Sequence, residues 1–480
     1  MTGSHANALA ALAAEARRSL ALLGEEPANW VPARPGIDHD VAVIGGGQSG
    51  LSIAFALRRA GIRRTTVIDA APPGGEGVWR SVARMETLRT AKAPPGPEIG
   101  IPALTFQAWH EALYGADAYA ALGNVPRLLW ADYLDWFRAA AGIPVRNGTR
   151  LRRVEPLDGG LRLHLERDGV ASTETVRKLV LATGFAGGGG PFVPPVIADA
   201  LPRRLYAHTA EAIDFETLRG RRVAILGAAA SAFDAAGAAL EAGAAEVHLF
   251  GRNADLTRGT RMKNFGYPAA AEHFHALSDA ERWRVMRLYR ARASFPPAST
   301  VRRAARFANF RLHLGAGWRA VDSLGGDAVR IATEDGRSLL VDFVIAGTGY
   351  AADLSRVPEL AGFADRIARW GDRFTPEPGD EDAALGASPY LDPGFRFVET
   401  EPGQAPWLAD IHYHGYSGMV SQGRPVGDIP SLRHNVPRLV SALGRDLFLA
   451  DRERHLERML APTADDLTGE EYAHAVAEPV

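Results

Sequence analysis

Val41-Ala42-Val43-Ile44-Gly45-Gly46-Gly47-Gln48-Ser49-Gly50 is a short apolar run that ends in a glycine-rich turn, and the layout returns as Val223-Ala224-Ile225-Leu226-Gly227-Ala228-Ala229-Ala230-Ser231-Ala232. A four-residue apolar run bounded by such a turn reads as a strand buried on both faces of a parallel sheet. In the first copy Gly45 suits the tight turn. Gly47 lacks a side chain where a pyrophosphate would approach the backbone, with Gln48 and Ser49 in the same turn. Gly50 lets the following helix, residues 51–60, lie close on the strand. Gly61 ends that helix. A second strand, 65–68, finishes in Asp69, at the spacing where an acid accepts hydrogen bonds from an adenosine ribose. Strand, turn, helix, strand and acid in that order say more than a flexible glycine loop would.

The second copy continues as a helix over 231–242 and a strand over 247–250, and closes on Gly251-Arg252. An arginine in the place of the acid pairs with a 2′-phosphate that a carboxylate would repel. NADPH is therefore expected before NADH, with Arg252 as the residue that decides it; the other reading of Arg252 is an ordinary surface cation. Ala229 and Ala232 replace the second and third glycines, and a methyl at Ala229 crowds the pyrophosphate. Two dinucleotide sites in one chain point to FAD reduced by NADPH.

The chain has 480 residues, 46% hydrophobic and 23% charged, enough for more than one core. Lys+Arg 54 against Asp+Glu 56 gives a formal charge of -2, so there is no global positive field for nucleic acid or an anionic membrane. No apolar run is long enough to span a bilayer, and the N-terminus lacks a basic-then-apolar signal, so a cytoplasmic enzyme is expected. With Cys 0 there is no redox-active dithiol, iron–sulfur cluster or cysteine nucleophile. A homo-oligomer is left open by the sequence.

The fold class expected is α/β, with two Rossmann-like dinucleotide-binding domains, the second inserted in the first, and a helical insert. Residues 1–35 read as a docking helix (6–23) and a Pro-rich linker, and 36–190 as the first part of the FAD domain. The NADPH domain is expected over 191–340, carrying a helical insert at 253–312. Residues 341–480 would return to the FAD domain and face the substrate. Within this frame a helix covers 130–141. Alternation over 150–176, with Asp158-Gly159-Gly160 and Asp168-Gly169 as hairpin turns, suits a small sheet. Strand ends at Ala182-Thr183-Gly184 and Ala346-Gly347-Thr348-Gly349 bracket the second unit, so residues 184–195 and 346–353 would cross between domains, with Gly187 to Gly190 as a disordered loop or a hinge. Arg284, Arg287, Arg290 and Arg292 read as a solvated helix face.

This order of motifs resembles the class B flavoprotein monooxygenases: the flavin-containing, Baeyer–Villiger and N-hydroxylating enzymes. The resemblance runs from about residue 36 to about residue 450, and is sharp at the nucleotide turns and strand ends. It implies FAD held by Gly45, Gly47, Gly50 and Asp69, with Gln48, Ser49, Thr183 and Gly184 also among the cofactor-binding residues. Trp79 of Gly74-Gly75-Glu76-Gly77-Val78-Trp79, Arg89 and Thr90 would lie near the flavin, although Trp79 also suits a core. Gly227, Ser231 and Arg252 would serve NADPH, and Ala229 and Gly349 are also among the cofactor-binding residues. It further implies a small-molecule substrate and dioxygen, with oxygenation through a C4a-(hydro)peroxyflavin. His208 sits where the family has a linker histidine, but Pro202, Arg204 and Ala212 replace the aromatic and glycine partners of a Baeyer–Villiger signature. Hydroxylation of nitrogen or sulfur is therefore favoured over carbonyl insertion; a reductase or oxidase without oxygenation is the remaining class. After the Gly-Thr-Gly strand the family's chain returns to the flavin, which makes His414, Tyr416 and Arg424 candidates for catalysis. His412 and His414 would share one strand face with no third ligand, so no metal is expected.

Overall fold

A computed structural model describes residues 3–24, 27–93, 95–259, 261–291 and 295–477. Arg292 lies outside them.

In chain order the elements used below are α1 (Gly3–Leu22), β1 (His39–Ile44), α2 (Gln48–Arg59), β2 (Thr65–Ile68), α3 (Phe106–Tyr114), α4 (Arg127–Ala140), β3 (Thr149–Leu157), β4 (Gly160–Arg167) and β5 (Val170–Leu181). There follow β6 (Tyr206–His208), β7 (Arg222–Leu226), α5 (Ala230–Glu241), β8 (Glu246–Phe250), α6 (Pro268–His273), α7 (Asp279–Arg290), α8 (Ala298–Ala305) and β9 (Phe310–His313). The remainder are β10 (Trp318–Ser323), β11 (Val329–Thr333), β12 (Ser338–Val341), β13 (Phe343–Ala346), β14 (Ile411–Tyr413), α9 (Met419–Gln422), α10 (Ile429–Ala450) and α11 (Arg452–Leu460). Among the described residues no helix is long and apolar enough to cross a membrane.

The first sheet runs β2-β1-β5-β4-β3, with β14 also on β5. Val41 and Val43 of β1 face a core shared with α2 and α10, while Ala42 and Ile44 face the opposite core, so the apolar run is buried on both sides. On α2, Leu51, Ile53, Phe55 and Leu57 are buried, each contributing about 1.5–3 kcal/mol. α1 docks through Leu9, Ala16 and Leu20 against the same core, next to α3.

The second sheet is parallel throughout, in the order β6-β13-β7-β8-β9, and β10-β11-β12 form an antiparallel meander beside it. In each main sheet the strand order reverses next to the strand that carries the glycine turn: β1 lies between β2 and β5, and β7 between β8 and β13. A reversal of this kind opens a crevice at the carboxyl ends of the strands, where ligands bind open α/β sheets.

Four expectations are adjusted. The hairpin strands over 150–176 do not make a separate small sheet. β5 is continuous: residues 170–176 pair antiparallel with β4, then 176–181 pair parallel with β1. Both dinucleotide helices begin at the turn itself, α2 at Gln48 and α5 at Ala230, because the glycine turn leaves the first amides free to start the helix. β13 belongs to the second sheet, so the chain crosses back after residue 346, along the expected 346–353 segment and later than the domain bound at 341. The four-glycine run is packed, not a disordered loop. A Cβ on Gly187 would stand 1.8 Å from Thr183 Oγ1, and one on Gly188 2.2 Å from Ser417 Oγ. The crossing segments meet in an antiparallel bridge between Pro191 and Tyr350, where Phe192 N–H donates to the Gly349 carbonyl.

Candidate cofactor and substrate site

The first glycine turn is shaped by contacts that admit no side chain. Gly45 takes φ +109, and a Cβ there would stand 2.3 Å from the Ala182 carbonyl oxygen at the end of β5. A Cβ on Gly50 would stand 1.7 Å from the Gly45 carbonyl oxygen, so only glycine lets α2 start this close to β1. Gly47 stands as N-cap without a capping side chain, no acid lies in the first turn of α2, and the amides of Gln48, Ser49 and Gly50 make an electropositive end. Asp69 lies where expected at the end of β2; its carboxylate accepts from Gly46 N–H at 2.6 Å and Ala71 N–H at 2.7 Å. Beside the turn a cavity is lined by Gly46, Gly47, Gly74, Glu76, Trp79 and Arg138. Trp79 is half-buried against the core at its rim. At the end of β5 the Thr183 hydroxyl is buried without a partner, and Gly184 turns the chain away with φ +69. A helix N-terminus, a carboxylate and an orphaned hydroxyl at one switch point suit a dinucleotide such as FAD.

A second helix end joins this one. Gly427 accepts a hydrogen bond from Gln48 Nε2 at 2.7 Å, Gln48 Oε1 accepts from Trp130 Nε1 at 3.2 Å, and Asp428 caps α10 by accepting from Ser431 N–H at 2.8 Å. Gly427 and Asp428 were missed in the sequence, although an aspartate followed by Ile-Pro is a legible helix start.

The second turn repeats the first with small residues exchanged. Gly227 takes φ +118 and would place a Cβ 2.3 Å from the Gly347 carbonyl oxygen. Where the first unit has Gly50 and Ala182, the second has Ala232 and Gly347, and a Cβ on Gly347 would be 2.7 Å from the Ala232 methyl. One methyl has moved from the strand end to the helix. Ala229 caps α5, half-buried, and Ser231 is exposed in the first turn, which holds no acid. Arg252 stands exposed just past β8.

Arg89 is engaged across the two units. It donates to Asp234 Oδ2 of α5 at 2.7 Å, and Thr300 Oγ1 donates to Asp234 Oδ1 at 3.1 Å. Burial pushes the Asp234 carboxyl up despite Arg89. Thr90 follows, half-buried. His208 is buried at the end of β6, accepts from Ala210 N–H at Nδ1, and is pushed down by burial, so it stands neutral.

On the C-terminal side, His412 is fixed to the Gly394 carbonyl at 2.8 Å, and no group of three metal-ligating side chains occurs among the described residues. His414 N–H donates to the Leu181 carbonyl, two residues before Thr183, which sets its ring near the strand ends; both ring nitrogens are buried without partners. Burial lowers its pKa to about 4. Tyr416 begins a row of rings: 4.9 Å to Phe185, then 5.8 Å to Tyr350, then 6.0 Å to His208. Phe185 and Tyr350 remain 43% and 37% exposed, an aromatic face at the crossing between the units. Arg424 is occupied: it donates to Asp428 Oδ2 at 2.9 Å and to the Phe265 carbonyl at 3.4 Å, tying the helical insert to the start of α10.

A family model for pyridine nucleotide-disulphide oxidoreductases matches residues 39–364. A FAD-dependent urate hydroxylase of Xanthomonas campestris pv. campestris is 41% identical over 452 residues, 93% of this chain and 94% of that protein. Among solved structures, the reduced ornithine hydroxylase of Pseudomonas aeruginosa matches with TM-score 0.66 at 17% identity, over 86% of this chain and 100% of the other. The L-lysine 6-monooxygenase of Pseudomonas syringae matches with TM-score 0.65 at 21% identity, over 85% and 99%.

Proposed function

The chain belongs to the pyridine nucleotide-disulphide oxidoreductase family and is a FAD- and NADPH-dependent monooxygenase of class B; on that premise we propose that its substrate is urate or a planar purine anion of the same shape. The observation that carries the substrate is the 41% identity to a urate hydroxylase along nearly the whole of both chains. Despite the family's name, electrons do not leave through a protein disulfide, since the chain has no cysteine.

In this reading the amides at the start of α2, with Gly45, Gly47, Gln48, Ser49 and Gly50, hold the FAD pyrophosphate. Asp69 would accept from the ribose, and Thr183, Gly184 and Trp79 would lie toward the ring. Gly227, Ala229, Ser231, Arg252 and Gly349 serve NADPH, with Arg252 meeting the 2′-phosphate. FAD held there would supply hydride acceptance from NADPH and activation of dioxygen, chemistry that no side chain of this chain supplies. The side chains shape the site. Phe185, Tyr350 and Tyr416 present ring faces at the crossing between the units, a stacking surface for a planar substrate. His414, neutral because burial lowers its pKa to about 4, exchanges a hydrogen bond with the substrate without adding charge. Arg89 and Asp234 set the NADPH unit against the FAD unit.

Urate-dependent NADPH consumption by the FAD-loaded protein tests this. One NADPH and one dioxygen consumed per urate lost supports it; NADPH consumed with stoichiometric peroxide and no loss of urate rejects the substrate.

A further inference from the structure

The second and third turns of α10 carry buried hydrogen-bond donors with no acid among their partners. Arg438 lays its guanidinium on Phe395, 4.8 Å from the ring centroid, and donates to Gln422 Oε1 at 2.7 Å, the Glu272 carbonyl at 3.3 Å and Asn435 Oδ1 at 3.4 Å, with His275 Nδ1 also in contact. Each of these groups is neutral: His275 is held uncharged, its pKa lowered to about 4 by burial and by Arg438 itself. The neighbouring carboxylates are already taken, Asp392 by Arg396 at 2.6 Å, Glu272 by His434 at 2.9 Å and Asp428 by Arg424 at 2.9 Å. A half-buried cation whose Nε is cut off from water and whose partners are all neutral is costly unless an anion completes it.

Unused donors mark where that anion would sit. Arg438 Nε and Asn435 Nδ2 are buried donors without partners, as is the one N–H of the neutral His414 ring, whose other nitrogen is an unpartnered acceptor; Asn435, Gln422 and His414 are each 1% exposed. Phe395 stands between the two sides of the cluster, 5.5 Å from the His414 ring and under Arg438. It does so at φ +65, a backbone conformation a bulky residue rarely adopts and one that clusters at ligand sites. The helical insert covers the cluster: Gly423 abuts Phe274, and Arg424 reaches the Phe265 carbonyl. Through His414 the group adjoins the end of β5, where the orphaned Thr183 hydroxyl lies.

We propose that Arg438, with Asn435, Gln422 and His414, is the recognition site for the substrate's anionic, carbonyl-bearing edge, so that the enzyme selects planar organic anions over neutral rings of the same shape. The inference rests on the urate reading above and deepens it. A guanidinium fork beside an amide suits a ring edge that bears a delocalised negative charge and adjacent oxygen and nitrogen acceptors.

The test is titration of the FAD-loaded enzyme with urate and with the uncharged 1,3,7-trimethylxanthine, followed by the change in the flavin absorption spectrum, alongside KM and kcat for urate. Arg438→Gln is expected to raise the urate Kd and KM about tenfold or more and to erase the preference for the anion, with Arg438→Lys recovering part of it. Asn435→Asp, which adds the charge the cluster lacks, is expected to weaken urate binding in the same way. FAD content and melting temperature of each variant separate a binding loss from an unfolded chain. Wild-type urate affinity in both Arg438→Gln and Asn435→Asp overturns the inference while leaving urate as substrate. If the parent enzyme itself ignores urate, the urate reading falls, and the same titration with orotate and xanthine decides the inference: binding that depends on Arg438 upholds it, and no binding of either overturns it.

Discussion

Replacing Gly50 by alanine tests the cofactor site at its tightest point. The added methyl would stand 1.7 Å from the Gly45 carbonyl oxygen, whereas real Cβ atoms keep beyond 3.0 Å, so the start of α2 must retreat from β1 by more than an ångström. Overpacking of this kind costs about 1–3 kcal/mol, and it falls on the backbone amides assigned to the pyrophosphate. Each charged hydrogen bond lost there costs about 1.5–3 kcal/mol more. Together these raise the Kd for FAD by about a hundredfold or more, at about 1.4 kcal/mol per decade. The control is Ala232→Gly at the matching position of the second unit, where Gly347 already makes room for the methyl. That change costs about 1 kcal/mol of helix propensity and leaves FAD in place. The assay is flavin-to-protein absorbance after purification, then fluorescence titration of the deflavinated protein. Wild-type FAD affinity in Gly50→Ala would refute the placement of the pyrophosphate at this helix end.

In the second unit, Ala229→Gly is expected to lower the KM for NADPH severalfold by removing the methyl at the cap of α5, while Arg252→Ala is expected to raise it about tenfold or more and leave NADH unchanged; equal effects on both nucleotides would remove Arg252 from the 2′-phosphate. Stability should fall with acidification. His275, His412 and His414 are held by burial at pKa about 4 against 6.5 unfolded, so the unfolded chain takes up protons first. Stability is then flat above about pH 7 and drops as pH falls from 6.5 toward 4. Urea midpoints measured from about pH 8 to about pH 4.5 check this, and a flat profile would show that these rings are not buried neutral.

Both glycine turns were legible because their constraint is local: the residues that must lack a side chain lie within ten positions of one another. The hairpin turns at Asp158-Gly159 and Asp168-Gly169 were legible for the same reason. What escaped depends on distant partners. Arg89 carries no sign that its acid is Asp234, and the exchange of small residues between Gly50 with Ala182 and Ala232 with Gly347 appears only when the strand ends are set side by side. β5 was divided because its alternation stops at Val176 and the charged pair Arg177-Lys178 separates it from the apolar Leu179-Val180-Leu181, yet burial is continuous from Val176 to Leu181, where the strand enters the covered sheet. Asn435 and Arg438 were hidden in an amphipathic helix whose apolar stripe accounts for its periodicity; their importance lies in the acid that is missing around them.

The most direct test of the central claim is turnover of urate by the FAD-loaded enzyme with NADPH under 18O2, read by mass spectrometry of the product. Oxygenation predicts one labelled atom in each product molecule. Unlabelled product, or label recovered only in peroxide, would contradict a monooxygenase acting on this substrate.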